Sequence, residues 1–257
     1  MENPRRGVYL LPNLFTTAAL FSGFYAIVAA INSRYEAAAI AIFIAMIMDG
    51  MDGRIARLTN TQSAFGVQYD SLSDLASFGI APALVIYLWS LSGMGKPGWV
   101  AAFIYAAAAA LRLARFNTQA SSEAKQFFQG LPSPTAAALI AGFVWMGDAY
   151  GLNDGATILV FSFPLTILAG VLMVSNIRYH SFKHFDLRGR VPFLAALVIV
   201  LGFAFIALEP PLVLFLLALC YTLSGPIITL AQLQRHRTIR KKTEVSDGMN
   251  DHTSDGN

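Results

Sequence analysis

The stretch MDGMDGRIARLTNTQSAFGVQYDSLSDLASFG, residues 48–79, lies between two apolar runs, residues 37–48 and 80–89. It carries four aspartates: Asp49, Asp52, Asp70 and Asp74. On insertion scales, a carboxylate at the centre of a bilayer costs roughly 2.5–3.5 kcal/mol, and several anions close together also repel one another. Four aspartates at the edge of apolar segments therefore call for something that offsets their charge.

The composition indicates a membrane protein. Hydrophobic residues make up 56% of the 257 positions and charged residues only 13%, whereas a soluble domain has about a quarter charged. Because the apolar residues come in long blocks, the sequence predicts an all-α polytopic membrane protein with eight transmembrane helices. The predicted spans are residues 13–31, 37–57, 69–91, 98–116, 132–148, 156–175, 191–207 and 211–231.

The basic residues predict the orientation of these spans. With the N-terminus inside, all of the 18 Lys and Arg residues except Arg34 and Lys96 fall on the inner side. Short cytoplasmic loops are enriched in Lys and Arg. We therefore predict that both termini are cytoplasmic. The cluster RHRTIRKK, residues 235–242, would favour anionic lipid or anchor the topology, and the polar end of the chain should be disordered.

The spacing of the aspartates predicts that they converge. Asp49 and Asp52 are three positions apart and share one helix face, and Asp70 and Asp74, four apart, share another. The polar linker between the pairs allows the two helices to fold back on each other. Hard oxygen ligands suit Mg²⁺, Mn²⁺ or Ca²⁺. Four carboxylates with few other ligands suggest a paired-metal site with open positions for phosphate oxygens.

Spacing alone leaves other interpretations open. Gly50 and Gly53 would let a bulky ligand approach the backbone, but small residues also serve close helix packing. The aspartates could be solvated charges at the membrane interface, or an ion pathway in a cation transporter. The spacing of an EF-hand calcium loop is absent.

The complete pattern resembles the signature of the CDP-alcohol phosphotransferase family. Residues 49–74 read D-x-x-D-G-x-x-A-R-x8-G-x-x-x-D-x-x-x-D and match every fixed position. The resemblance implies six core transmembrane helices with the active site at the cytoplasmic side. A transporter gives no reason for the A-R-x8-G portion.

The resemblance also implies roles for individual residues. Asp49, Asp52 and Asp70 would be ligands of two divalent cations, Mg²⁺ or Mn²⁺, and Asp74 would be both a ligand and the general base. The residues implied to contact CDP-diacylglycerol are Asn13, Gly53, Arg57, Ser63 and Gly66.

Three further stretches resemble the phosphatidylserine synthase branch of this family. They are LPNLFTTAALFSGFYAI (11–27), RLARFN with GLPSPTAAA (112–117 and 130–138), and LMVSNIRYHSFK (172–183). This branch implies transfer of the phosphatidyl group from CDP-diacylglycerol to the hydroxyl of L-serine, which gives phosphatidylserine and CMP. Glycerol 3-phosphate, inositol phosphate or choline remain alternative acceptors. Candidate contacts to serine are Arg112, Arg115, Asn117 and Arg178.

The resulting expectation is an enzyme of the bacterial inner (cytoplasmic) membrane with its site facing the cytoplasm. The resemblance implies a homodimer in the lipid bilayer, and no nucleic-acid partner is expected. The predicted divisions are a cytoplasmic segment 1–12, a six-helix core 13–190, a helix pair 191–234 and a cytoplasmic tail 235–257.

Overall fold

A computed structural model describes residues 10–59, 63–119, 128–152, 155–179 and 193–229. Most of the N-terminal segment 1–12 and the whole of the tail 235–257 lie outside the described residues. The described chain forms eight helices in the predicted order. They are α1 (Leu10–Ile31), α2 (Tyr35–Leu58), α3 (Ala64–Trp89), α4 (Lys96–Gln119), α5 (Ser133–Ala149), α6 (Gly155–Val174), α7 (Phe193–Leu208) and α8 (Pro210–Thr229).

Several of these helices have the length and composition of membrane spans. In the described residues, five helices are long and apolar enough to cross a bilayer: α1, α3, α4, α6 and α8. The other three differ for visible reasons. The α5 and α7 helices have 17 and 16 residues, fewer than the roughly 20 that a span needs. The α2 helix has 24 residues but carries the charges Asp49, Asp52, Arg54 and Arg57 toward its end. The chain is therefore an integral membrane protein whose described residues are mostly helical.

The α3 helix begins earlier than the sequence predicts, at Ala64 rather than residue 69. Ser63 has an extended backbone, and its hydroxyl accepts a hydrogen bond of 3.0 Å from the amide of Gly66. This is the N-cap arrangement that starts a helix. Asp70 and Asp74 consequently lie within α3, after its first turn.

A π-helical turn, Leu75–Ile80, interrupts α3 directly after Asp74. The amide of Ala81 bonds to the carbonyl of Ala76, five residues back. Pro82 follows, and because proline has no amide hydrogen, it cannot donate to the carbonyl four residues earlier. The proline ring also pushes that carbonyl away. That carbonyl belongs to Phe78, and the hydroxyl of the buried Tyr105 donates to it at 3.0 Å. The sequence prediction of a regular third helix did not include this turn.

Small residues allow α1 to pack closely against its neighbours. Buried alanines fill the contact between α1 and α2, among them Ala26, Ala30, Ala38 and Ala45. Against α3, a β-carbon at Gly23 would lie 2.7 Å from the Cα of Ser77, so only glycine fits there. Close approach through small residues is the usual way in which membrane helices associate. The α1 helix is thus held against both helices that carry the aspartates.

The described chain departs from all-α architecture in one small feature. Two strands of two residues each, β1 (Phe128–Gln129) and β2 (Arg178–Tyr179), pair antiparallel. Gly130 follows β1 with φ of 78°, and a β-carbon there would lie 2.3 Å from the carbonyl oxygen of Met173. Two strand residues give too short a pattern for alternation to be read in the sequence.

Candidate active site

The aspartates that the sequence singled out lie together where α2 and α3 meet. One carboxylate oxygen from each of Asp49, Asp70 and Asp74 lies within 4.8 Å of the other two. All three side chains are partly buried. We call these three residues the acidic triad. The triad draws on both predicted pairs, so the predicted convergence of the two helices is observed.

Asp52 has a different environment from the triad. Its side chain is only 5% exposed, and its Oδ2 accepts a hydrogen bond of 2.7 Å from the hydroxyl of Thr16 in α1. It is still close enough for its charge to act on all three triad carboxylates. Asp52 therefore lies beside the triad and is held by α1.

The triad fits a divalent cation on the evidence of its own atoms. The Oδ1 atom of Asp70 is buried and has no hydrogen-bond partner in the part of the chain that the structure describes. Buried polar atoms normally have a hydrogen-bond partner, and a buried atom without one needs an explanation, such as a bound ion. Three converging carboxylates also need a positive charge to offset their repulsion. Carboxylate oxygens are the ligands that Mg²⁺ and Mn²⁺ prefer.

Open space lies along α2 beside the acidic residues. A β-carbon built at Gly50 or at Gly53 would meet nothing within 4 Å. Close helix packing, the alternative explanation of these glycines, is therefore not seen in the described chain. Arg57 is exposed and lies four residues after Gly53, on the same face of the helix. A phosphate group approaching this face would meet backbone and a guanidinium rather than bulky side chains.

Three of the residues predicted to contact CDP-diacylglycerol lie close together. A β-carbon at Gly66 would lie 3.2 Å from the Ser63 hydroxyl and 3.6 Å from Oδ1 of Asn13. The start of α1 therefore faces the start of α3. Ser63 has a structural function as the N-cap of α3, in addition to the predicted one.

The residues predicted to bind serine divide into separate groups. Asn117, near the end of α4, donates a hydrogen bond of 2.9 Å to the hydroxyl of Ser71, which directly follows Asp70. Arg115 faces α6 instead, where its Nη2 donates at 2.7 Å to the side-chain oxygen of Asn176. Asn117 therefore contacts α3, the helix that carries Asp70 and Asp74.

The other two candidates lie near the short strands. The Arg112 guanidinium is near the backbone of Gly130 and close to the stacked rings of Tyr179 and Tyr221. Burial raises the pKa of the Tyr179 hydroxyl to about 12, so it stays protonated and donates to the carbonyl of Thr222. Arg178 belongs to β2, and its side chain lies outside what the structure describes.

Sequence reasoning missed three polar residues that hold the site together. They are Thr16, Ser71 and Ser73, and each hydrogen-bonds across a helix interface. A weak signal existed for Thr16, because it lies three residues after Asn13 and so shares its helix face. The two serines lie between Asp70 and Asp74, where the sequence gives no sign of their partners.

Comparison with known proteins agrees with the geometry. Residues 9–175 match the family model described as CDP-alcohol phosphatidyltransferase. A protein of Helicobacter pylori is 40% identical over 180 residues, which cover 70% of this chain and 76% of that protein. One of Mycobacterium tuberculosis is 33% identical over 252 residues, 95% of this chain and 85% of that protein.

A third relative comes from an archaeon. The protein of Methanocaldococcus jannaschii is 38% identical over 143 residues, 56% of this chain and 63% of that protein. All three relatives carry the name CDP-diacylglycerol--serine O-phosphatidyltransferase. The matched region of the family model includes the triad, Asp52 and the start of α1.

Proposed function

The chain belongs to the CDP-alcohol phosphatidyltransferase family, and on this premise we propose that it transfers a phosphatidyl group from CDP-diacylglycerol to the hydroxyl of L-serine. The products are phosphatidylserine and CMP. The convergence of Asp49, Asp70 and Asp74 within 4.8 Å is the observation that carries the reaction class. The choice of serine is supported by the shared name of the relatives, which come from bacteria and an archaeon.

The reaction is a displacement at the phosphorus atom that bears the diacylglycerol. The serine oxygen forms a new bond to this phosphorus, and the bond from phosphorus to the oxygen of CMP breaks, so CMP leaves with the bridging oxygen. The hydroxyl proton of serine passes to the carboxylate of Asp74. A carboxylate within hydrogen-bond reach of an attacking hydroxyl is a suitable general base.

The acidic residues would hold divalent cations, with Asp49, Asp70 and Asp74 as ligands and Asp52 as a fourth. When bound, two cations would offset the charge of the diphosphate and of the departing CMP. Mg²⁺ and Mn²⁺ both suit these oxygen ligands. The site residues themselves position the ions, and Asp74 additionally takes the proton.

The residues that the sequence predicts to contact CDP-diacylglycerol would bind the donor substrate. Arg57 can hold a phosphate through two parallel hydrogen bonds, in the open space beside Gly53. Asn13, Ser63 and Gly66, close together at the start of α1 and α3, would line the nucleotide pocket. On this proposal the diphosphate would lie between the nucleotide pocket and the triad.

The membrane arrangement is proposed from charge and contacts together. Hydrogen bonds between Thr16 and Asp52 and between Ser71 and Asn117 bring one end of α1, α2, α3 and α4 to the site. Basic residues cluster near the same helix ends: Arg54, Arg57, Arg112 and Arg115. Under the positive-inside rule this end faces the cytoplasm. We infer that all eight helices span the inner membrane and that both termini are cytoplasmic.

The division of the chain and its assembly are part of the same proposal. The family match over 9–175 supports a core at 13–190, preceded by the segment 1–12. The helix pair 191–234 and the tail 235–257 would be additions to that core. The working unit would be a homodimer in the bilayer.

An acceptor comparison tests the proposed function. The purified protein is given CDP-diacylglycerol and Mg²⁺ or Mn²⁺ with serine, glycerol 3-phosphate, inositol phosphate or choline, and CMP release is measured. We expect CMP release with serine at least about tenfold above any other acceptor, a difference of 1.4 kcal/mol. Release with another acceptor alone would change the assigned substrate, and no release with any of them would overturn the reaction class.

Asn117 gives a second test, aimed at serine binding. Asn117→Ala removes an amide that contacts Ser71 beside Asp70, and we expect the KM for serine to rise about tenfold, the usual effect of losing one hydrogen bond to a substrate. The KM for CDP-diacylglycerol should stay within about twofold. Steady-state kinetics with each substrate varied in turn measures both.

The matched control for this substitution is Asn32→Ala. Asn32 follows the opposite end of α1, and among the described residues its side-chain amide donates to the carbonyl of Val28 in its own helix, so the control should leave both KM values unchanged. If Asn117→Ala raised both KM values equally, or raised neither of them, Asn117 would not be a serine contact.

A further inference from the structure

Thr16 is a polar residue buried inside the first helix. Its side chain is 4% exposed although α1 is otherwise largely apolar. Its hydroxyl donates to Oδ2 of Asp52 at 2.7 Å, across the contact between α1 and α2. The signature of residues 49–74 does not include it, and the proposed mechanism gives it no task.

The backbone of the same residue contacts the other helix of the site. The hydroxyl of Ser73, the residue before Asp74, donates to the carbonyl oxygen of Thr16 at 3.1 Å. One turn further along, the hydroxyl of Ser77 donates to the carbonyl of Ala19 at 3.1 Å. The glycine at residue 23 lets α3 approach α1 closely enough for these bonds. Thr16 therefore connects to both helices that carry the acidic residues.

The hydroxyl of Thr16 has one proton and two acceptors within reach. The carbonyl of Pro12 lies 3.2 Å away, and the carboxylate of Asp52 lies 2.7 Å away. Hydrogen bonds to an ionised acceptor are shorter and roughly twice as strong as neutral ones. The proton therefore goes to Asp52. The bond from Thr16 then restrains the rotation of the Asp52 carboxylate.

We infer that Thr16 is a positioning residue for the cation site: its hydroxyl orients the carboxylate of Asp52, while its carbonyl fixes the segment of α3 that carries Asp74. This inference rests on the proposed function, because it assumes that Asp52 binds a divalent cation. Groups that hydrogen-bond a ligating side chain generally change metal affinity by 10–100-fold when removed. Thr16 is such a group, because its hydroxyl hydrogen-bonds the proposed metal ligand Asp52.

The test compares two substitutions at Thr16. Thr16→Val keeps the shape and removes the hydroxyl, and Thr16→Ser keeps the hydroxyl and removes a methyl group. Mn²⁺ is titrated into the purified full-length protein without substrates, and bound Mn²⁺ is measured by electron paramagnetic resonance. We expect the Mn²⁺ concentration for half-occupancy of at least one site to rise about tenfold in Thr16→Val, with Thr16→Ser within about threefold of the wild type.

The matched control is Thr166→Val in α6. Thr166 is fully buried, and among the described residues its hydroxyl donates to the carbonyl of Ser162 in its own helix. Thr166→Val therefore makes the same chemical change away from the acidic residues. Its Mn²⁺ titration should equal that of the wild type. If Thr16→Val does not fold, Thr16→Ala, which creates no clash, takes its place against the same control.

The outcomes separate this inference from the proposed function. Unchanged or tighter Mn²⁺ binding in Thr16→Val, or a Thr16→Ser variant as impaired as Thr16→Val, overturns the positioning role. A wild-type protein that binds no Mn²⁺, or that releases no CMP with serine, overturns the proposed function itself, whatever the Thr16 variants do.

Discussion

Asp74→Asn is expected to lower kcat for serine-dependent CMP release by about a thousandfold. General base catalysis contributes 10²–10⁴-fold, and an amide cannot accept the serine proton. Because Asp74 shares the triad with Asp49 and Asp70, the assay is run at saturating Mn²⁺ so that weaker cation binding does not set the rate. The substitution is nearly isosteric, so α3 and its bonds to α1 should persist.

Equilibrium binding of CDP-diacylglycerol distinguishes the proposed general base, Asp74, from an aspartate that only binds metal, such as Asp52. Asp74→Asn should retain binding better than Asp52→Asn, since the second variant also loses the charge-assisted bond from Thr16. Asp148→Asn, near the end of α5, is the matched control and should change neither kcat nor binding. Equal losses of binding in the Asp74 and Asp52 variants would count against Asp74 as the base.

Asp70→Asn should change stability in opposite directions with and without metal. In metal-free protein, one of three mutually repelling carboxylates becomes neutral, so the melting temperature should rise by about 2–4 °C for each kcal/mol of repulsion removed. In wild-type protein, saturating Mn²⁺ should raise the melting temperature through binding to the folded state alone. The variant should lose most of that gain, because the buried Oδ1 of Asp70 has no protein partner among the described residues and is free to bind the ion.

Thermal melting of the detergent-solubilised protein with chelator and with excess Mn²⁺ measures both effects. Glu36→Gln, in the first turn of α2 and at the opposite end of that helix from Asp49, controls for the loss of a carboxylate elsewhere. It should keep the full stabilisation by Mn²⁺. A variant at Asp70 that melts lower without metal but keeps the Mn²⁺ effect would show that the residue has a structural function and is not a ligand.

Local patterns were sufficient to predict which residues would come together in pairs. The helical repeat places Asp49 near Asp52 and Asp70 near Asp74 on shared faces, regardless of what packs against them. For Gly50 and Gly53 the sequence left ligand approach and close helix packing both open, and only the structure shows that a β-carbon there would meet nothing within 4 Å. The shared faces of the aspartate pairs depend on positions within one helix, which the sequence specifies directly.

The bonds between helices could not be predicted in the same way. Asn117 and Arg115 were one group in the sequence because both lie near the end of α4. Two positions along a helix differ by about 200° around its axis. In the structure Asn117 accordingly reaches Ser71 of α3, while Arg115 reaches Asn176 beyond α6.

The sequence by itself determined the helices, their apolar character and the signature residues of the reaction, because these depend on composition and on spacing along one chain. Only the tertiary structure decided which three aspartates form the triad and that Asp52 is bonded to Thr16. The physical reason is that packing sets the rotation and axial position of each helix. The π-helical turn after Asp74 is one such packing detail, and Pro82 and the Tyr105 hydroxyl stabilise it. A π-helical turn holds about one residue more than an α-helical turn, so it rotates the following part of the helix by about 100°.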